Sequence, residues 1–496
     1  MATLIRFVPQ CYRDSVSLMQ FARTLKARPG IEEASAVMAT AANLALLRES
    51  GLVTQALEPR PDDLLLVLVG DVTDADAAAA EAELLKPSIE LEAQRLEEAP
   101  GSVAEALSRD STLNFALVSV PGDYAAAEGL KALAAGLHVM LFSDNVSVEQ
   151  EVFLKAEARR RGLLVLGPDC GTAIVNGVPL GFANQVNRGP VGIVAASGTG
   201  LQEVSSLLSR WGSGVSQALG TGGRDLKDAV GGSTMLACLD VLEADPATKV
   251  VLVVSKPPAP SVLRKLDERL AAYRKPVVTC FLGAPGALTL AGAARKAFAL
   301  AEGRQPDQRE SADLPPLTPP PGCGGRWLRG LYSGGTLCGE AAFLAGAVLP
   351  SVRANVAVPG VTALEDPWTS VGHCFVDLGE DEFTRGRPHP MIDQSLRLDR
   401  LAREMADPEV AAVVLDVVLG HGAHPDPATE LAQFLHTLPP RTEHRVPVFA
   451  SVTGTDGDPQ GWSKSLATLR VAGVAAYGSN VEAIEAALAF ITQEAP

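Results

Sequence analysis

Basic residues are in short supply. Forty-two Lys and Arg face 58 Asp and Glu, a net charge of −16, and no basic stripe interrupts the acidity. A nucleic-acid partner is therefore not expected, and any anion site has to be local, built from dipoles and a few cations. Cysteine is sparse too: seven residues, widely scattered, with no CxxC pair. An odd, dispersed set fits a reduced cytoplasmic protein and argues against a disulfide framework or structural zinc. No uninterrupted apolar run reaches the roughly 18 residues of a membrane span, and MATLIRFVPQCYRDS lacks the apolar core of a signal peptide. A cytoplasmic, membrane-free chain is expected.

What the sequence does have is strands alternating with helices. LLLVLVG (64–70), FALVSV (115–120), HVMLFS (138–143), VGIVAAS (191–197), KVVLVVS (249–255), PVVTCF (276–281), VAAVVLDVV (410–418) and VPVFASV (446–452) are strand-like runs separated by Ala/Leu/Glu/Arg segments of helical period. This pattern predicts βαβ units and parallel sheets. The 496 residues suit about three domains. NRGPVG (187–192) and the polar, then Pro-rich RQPDQRESADLPPLTPPPGCGG (304–325) mark the breaks. The expected fold is α/β: a Rossmann-like domain over 1–188, a flavodoxin-like parallel-sheet domain over 189–303, a linker over 304–325, and a second flavodoxin-like domain over 326–496. The acidic, Ala-rich stretch 74–108 reads as one long helix or a helix pair with a solvated face.

One device occurs twice. GIVAASGTGLQE (192–203) and GLYSGGTLCGE (330–340) each run from an apolar strand through a Ser-Gly turn into a helix. Matching strands follow, KPVVTCFLG (275–283) and VPVFASVTG (446–454), which reads as an internal duplication. Such a turn aims backbone N–H groups and a helix dipole at an anion. Ser197, Gly198, Thr199 and Gly200, and Ser333, Gly334, Gly335 and Thr336, are thus phosphate-binding candidates; the alternative is an ordinary N-capped helix. Gly222, Gly223 and Arg224 lie in the GTGGRD loop, where Arg224 could grip a carboxylate or phosphate, or simply pair with Asp225 on the surface. Lys256 ends a strand, where open α/β sheets place their sites. Arg387 and His389 sit in the proline-braced GRPHPMID loop. Thr453 and Thr455 in VTGTD are candidates to cradle substrate. His421, His424 and Asp426 make too thin a ligand set for a metal site, and Cys170 has no paired His that would make it a nucleophile.

GLLVLGPDCGTAI, GIVAASGTG, GTGGRD and VVSKPPAP together resemble the α subunit of succinyl-CoA synthetase and related ADP-forming acyl-CoA ligases. The last third resembles the C-terminal domain of that enzyme's β subunit, fused in line. With CYRDSVSLM, SDNVS, GRPHPMID and VTGTD included, the whole chain resembles the FdrA family. That resemblance implies a subunit of oxamate carbamoyltransferase in allantoin breakdown: phosphorolysis of oxalurate to carbamoyl phosphate and oxamate, alongside other subunits of an oligomer. Phosphate or carbamoyl phosphate would be substrate, with Lys256, Arg224, Arg387 and His389 in catalysis. The alternatives are an acyl-CoA synthetase with bound CoA and a non-catalytic scaffold; departures from the ligase pattern weigh against the first. The loop that carries the ligase's phosphorylated histidine reads GAPGALTLAGAAR (283–295), without His. The glutamate loop reads SKPPA, the ATP-grasp half is missing, and the glycine-rich CoA turn is replaced by RFVPQCYRDSV.

Overall fold

A computed structural model describes residues 2–9, 11, 13, 15–53, 59–60, 63–85, 99–305, 324–385, 387–439 and 445–494. The expected linker over 304–325 falls, apart from its ends, outside them. Two large sheets organise the rest. In the first, Val277–Phe281, Val250–Ser255, Arg188–Ala195 and Val215–Gly220 lie side by side in parallel. In the second, Val448–Thr453, Val410–Val418, Trp327–Tyr332 and Cys374–Asp377 follow in the same order. The strand feeding each Ser-Gly turn takes the same place in both, which matches the duplication expected from the motifs. All nine residues of Val410–Val418 and all six of Val250–Ser255 are buried, as strands covered by helices on both faces must be.

Each sheet has its own extension. Thr172–Val175 and Val178–Gly181 pair antiparallel around Asn176-Gly177, both left-handed, the preferred chemistry of a two-residue hairpin turn. This hairpin joins the first large sheet through Ile174 and Ala218. The chain has therefore entered that sheet before residue 188. The second sheet gains Arg353–Ala354, Thr362–Ala363 and Ala475–Tyr477, so part of region 351–400 is sheet extension.

The described residues of 1–188, read from the sequence as one Rossmann-like domain, form two separate sheets besides that hairpin. Phe115–Val118, His138–Leu141 and Val165–Leu166 are parallel. Ala2–Val8, Leu64–Gly70 and Ile31–Met38 form an antiparallel sheet with Leu64–Gly70 in the middle. The misreading has a physical cause. Leu64, Leu66 and Leu68 face one hydrophobic cluster while Leu65 and Val67 face another. A central strand buried on both faces loses the polar alternation that marks an antiparallel sheet. In the stretch 74–108, Asp74–Leu85 and Val103–Arg109 are helices; residues 86–98 lie outside the described residues.

The two repeats share one core. A single buried cluster includes Leu201, Val204, Leu208 and Phe298 from the first and Leu337, Ala341, Phe449 and Ile484 from the second. The helices after both Ser-Gly turns, Gly198–Arg210 and Gly335–Gly346, pack against each other. Their N-termini are brought face to face by this seam. Among the described residues no helix is long and apolar enough to cross a membrane.

Candidate active site

The two Ser-Gly turns meet in one cavity of about 830 Å³. The strand ends Ala195, Ser255, Tyr332 and Asp377 converge beneath it, the position in which open α/β sheets carry their sites. Ser197 Oγ and Thr336 Oγ1 are 2.5 Å apart across the seam. The approach is close enough that a Cβ on Gly334 would stand 2.6 Å from Thr199 Cγ2, so glycine is required there.

The turns are not equivalent. Ser197 caps its helix through Gly200 N–H at 3.0 Å. Among the described residues no protein group accepts from the N–H of Gly198 or Thr199, and both residues line the cavity. In the second turn the protein supplies its own anion. Asp416 accepts from Ser333 N–H at 2.8 Å, Ser333 Oγ–H at 2.9 Å and Gly334 N–H at 2.9 Å. Arg397 backs this carboxylate at 3.1 Å. Burial pushes Asp416 above the usual carboxylate range, and Arg397 opposes the shift. A second carboxyl, Asp377, stands over Gly335: its Oδ2 lies 2.5 Å from where a Cβ on Gly335 would be.

Lys256, Arg387 and His389 line the same cavity, as do Gly222 and Gly223. Lys256 and Arg387 are exposed to it. His389 is packed near Phe182, and burial, with help from Arg397, depresses it to about 4. It is neutral at pH 7. Its Nδ1 accepts from Met391 N–H at 3.2 Å, so the ring proton sits on Nε2, beside Gly379. The cavity thus meets a histidine N–H donor, with no free lone pair on that nitrogen.

Four residues expected at the site lie off the cavity wall: Arg224, Thr453, Thr455 and Gly200. Arg224 leaves the cavity for Glu151 at 3.0 Å and for Val146 O at 2.7 Å, because helix Val148–Arg161 presents a buried carboxylate that needs a cation. Thr453 donates to Glu203, and Thr455 donates to Gln185 O and accepts from Gly457 N–H. These two threonines fasten the seam between the repeats and lie off the cavity wall. Gly200 is also off the wall, where a Cβ would collide with Ser197 Oγ and crowd Thr336 Cγ2; its role is close packing of the two turns. Cys170 reaches the cavity, but burial pushes its thiol up to about 12, which leaves no thiolate at neutral pH. His424 pairs with Glu430 at 3.0 Å, and no His/Cys/Asp/Glu cluster suited to a metal occurs among the described residues.

The GTGGRD loop is fixed by a buried ionic network. Lys155 lies 2.7 Å from Glu151 and 2.8 Å from Asp225, and Asp225 accepts from Thr234 and Met235 N–H, capping helix Ser233–Ala244. Removing one member of such a network leaves uncompensated charge in the interior. Lys155→Met should lower the unfolding free energy by about 3–5 kcal/mol, read from urea denaturation midpoints; a change near zero would refute the account.

Against this geometry stand the relatives. The chain is 40% identical to the uncharacterized protein YahF of Escherichia coli (strain K12), covering 96% of each chain. The chain belongs to the YahF family. A CoA-ligase family model matches residues 331–490, and the AllF heavy metal-associated domain matches residues 1–101. Subunit α 2 of the ADP-forming succinate–CoA ligase of Archaeoglobus fulgidus is 30% identical over 186 residues, 36% of this chain and 61% of that subunit. These parts of the chain are thus similar to CoA ligases of the succinate–CoA ligase kind. The dinucleotide-forming acetyl-coenzyme A synthetase 1 of Ca. Korarchaeum cryptofilum aligns over 79% of this chain and 86% of its own at 17% identity, with a TM-score of 0.32. Residues 1–101 hold the antiparallel sheet described above, and so the match lies where the Rossmann-like reading departs from the structure.

Sequence reasoning missed the carboxyls. Asp377 and Asp169 line the cavity, and burial is the main cause that pushes each up to about 7. For Asp169 the neighbouring Asp144 and Asp381 add to the shift against Arg224. A signal for Asp377 was present: it ends a strand, in FVDLGE. Asp169 stands beside Cys170 in GPDCGT and carries no local pattern of its own.

Proposed function

We propose that the cavity binds an acyl phosphate and serves acyl transfer to or from phosphate on a ligase-like scaffold. The observation that carries this reading is the convergence of the first turn's open N–H groups with Lys256 and Arg387 in one cavity. Open amides at a helix start suit a phosphoryl group, and the two cations suit its charge and that of a substrate carboxylate. The neutral Nε2–H of His389 suits the acyl carbonyl oxygen, where negative charge develops during transfer. An acyl phosphate is common to both specific readings. Phosphorolysis of a carbamoyl compound such as oxalurate releases carbamoyl phosphate. ADP-forming ligation of an acid to CoA passes through one.

The CoA-ligase match and the succinate–CoA ligase similarity favour the second. A specific observation sets its form: the sequence has no His between 138 and 373, and His389 turns a protonated nitrogen to the cavity. A relay through phosphohistidine therefore has no nucleophile here, so the transfer is direct. The AllF domain match keeps the carbamoyl reading in view. In either case the chain works as one subunit among partners.

Calorimetric titration with acetyl phosphate, carbamoyl phosphate and CoA separates these readings. The expected result is binding of an acyl phosphate, weakened about tenfold or more by Ser197→Ala, in line with a lost charge-assisted hydrogen bond. Selective binding of carbamoyl phosphate favours carbamoyl transfer. Binding of acetyl phosphate together with CoA favours the ligase. Binding of CoA and of neither phosphate would sink the proposal.

A further inference from the structure

We propose that Asp377 determines which anions the cavity accepts, because its carboxyl lines the cavity at the second turn, opposite the open first turn, and has to carry a proton when a dianion is bound. This deepens the anion-site reading and rests on it. Asp377 Oδ1 accepts from Gly379 N–H at 2.9 Å, and Asn355 clamps its backbone on both sides, accepting from Asp377 N–H at 2.8 Å and donating to Asp377 O at 2.9 Å. These bonds fix its backbone and hold Oδ1 at Gly379. Asp377 is 4% exposed, and what is exposed faces the cavity. Among the described residues Oδ2 has no hydrogen-bond donor. It stands at the start of helix Gly335–Gly346, in the position that an anion bound to the second turn would take.

The groups around Asp377 fix the sign. Lys256 faces it from the loop after Val250–Ser255, while Glu380 and Asp416 face it with negative charge. Cys338 on helix Gly335–Gly346 and His389 on the rim loop complete its surroundings, both neutral at pH 7. Its carboxyl is pushed up to about 7 by burial first, against the pull of Gly379 N–H and Lys256. A dianion arriving at Ser197–Thr199 adds charge to a site already holding Asp416. An ionised Asp377 would repel it, whereas a protonated one donates a hydrogen bond to it. Anions offering an acceptor oxygen at that spot are selected, and their binding takes up a proton whenever Asp377 is ionised beforehand.

The test is calorimetry at pH 8 in two buffers of different ionisation heat, which counts protons taken up per anion bound. Acetyl phosphate and sulfate serve as probes, since neither exchanges a proton of its own between pH 6.5 and 8.5. The wild type should take up close to one proton, and its affinity should fall about tenfold per pH unit above about 7. Asp377→Asn should bind with no uptake and a flat pH profile, whereas Asp169→Asn, at the other raised carboxyl of the cavity, should keep the wild-type uptake; circular dichroism checks that both fold. Binding without proton uptake in the wild type overturns the proposal and leaves the acyl-phosphate reading standing. Uptake with sulfate alone supports Asp377 and removes the acyl phosphate. Binding of neither probe overturns both.

Discussion

Asp416→Ala should be among the most damaging single substitutions in this chain. It should lower the unfolding free energy by about 3–5 kcal/mol, the range for stripping one partner from a buried ion pair. Arg397 would be left buried without its carboxylate, and Ser333 and Gly334 would lose their acceptor. Urea denaturation gives the stability loss. A pair of changes separates stability from site formation. In Asp416→Leu with Arg397→Met no charge is left behind, and replacing a buried pair by apolar side chains is often near neutral. That double variant should recover most of the stability yet keep the second turn uncapped. If it binds acyl phosphate as well as the wild type, the view of Asp416 as organiser of the cavity floor is wrong.

The second large effect is a dependence of stability on pH. Glu340 lies on the helix after the second turn, accepting from Leu290 N–H at 2.7 Å and from Asn480 Nδ2 at 2.9 Å. It stitches three helices of the seam together. Burial pushes it up to about 7, with Glu203 and Glu485 adding repulsion. Its ordinary value is 4.5, so the unfolded chain gives up this proton first. The stability that Glu340 contributes is full below about pH 4.5 and is lost as pH rises through about 7. A shift of this size corresponds to about 3 kcal/mol. Asp377 and Asp169 act in the same direction. Denaturation midpoints at pH 5.5 and pH 8 should therefore fall with pH in the wild type, and fall less in Glu340→Gln. Equal slopes in the two proteins would show that Glu340 titrates normally.

The contrast between these carboxyls and the turns shows what local sequence carries. A strand, a Ser-Gly turn and a helix are local, so both anion devices could be read from a dozen residues each. Which donors remain open is not local. Asp416 reaches Ser333 from the neighbouring strand, more than 80 residues on in the sequence, and nothing in GLYSGGTLCGE announces it. Arg224 was sought at the cavity and lies with Glu151, because the helix bearing Glu151 is brought alongside only by the fold. Thr453 and Thr455 have turn chemistry in the sequence, but their partners Glu203 and Gln185 belong to the other repeat. The parallel α/β class was legible because buried strands and covering helices alternate over hundreds of residues. The N-terminal sheet was not, because its middle strand is apolar on both faces.

The shared core between the repeats has one more implication. Buried side chains from both halves interlock in a single cluster, and Thr453 and Asn480, through Glu203, and Glu340, through Leu290 N–H, bridge it with hydrogen bonds. The covalent connection through residues 306–323 is then needed only to keep the halves at high local concentration. Two separately synthesised polypeptides, divided there, would find each other and rebuild the same cavity. For this architecture, one gene or two is a matter of assembly rate, and the chemistry at the meeting of the turns is indifferent to it.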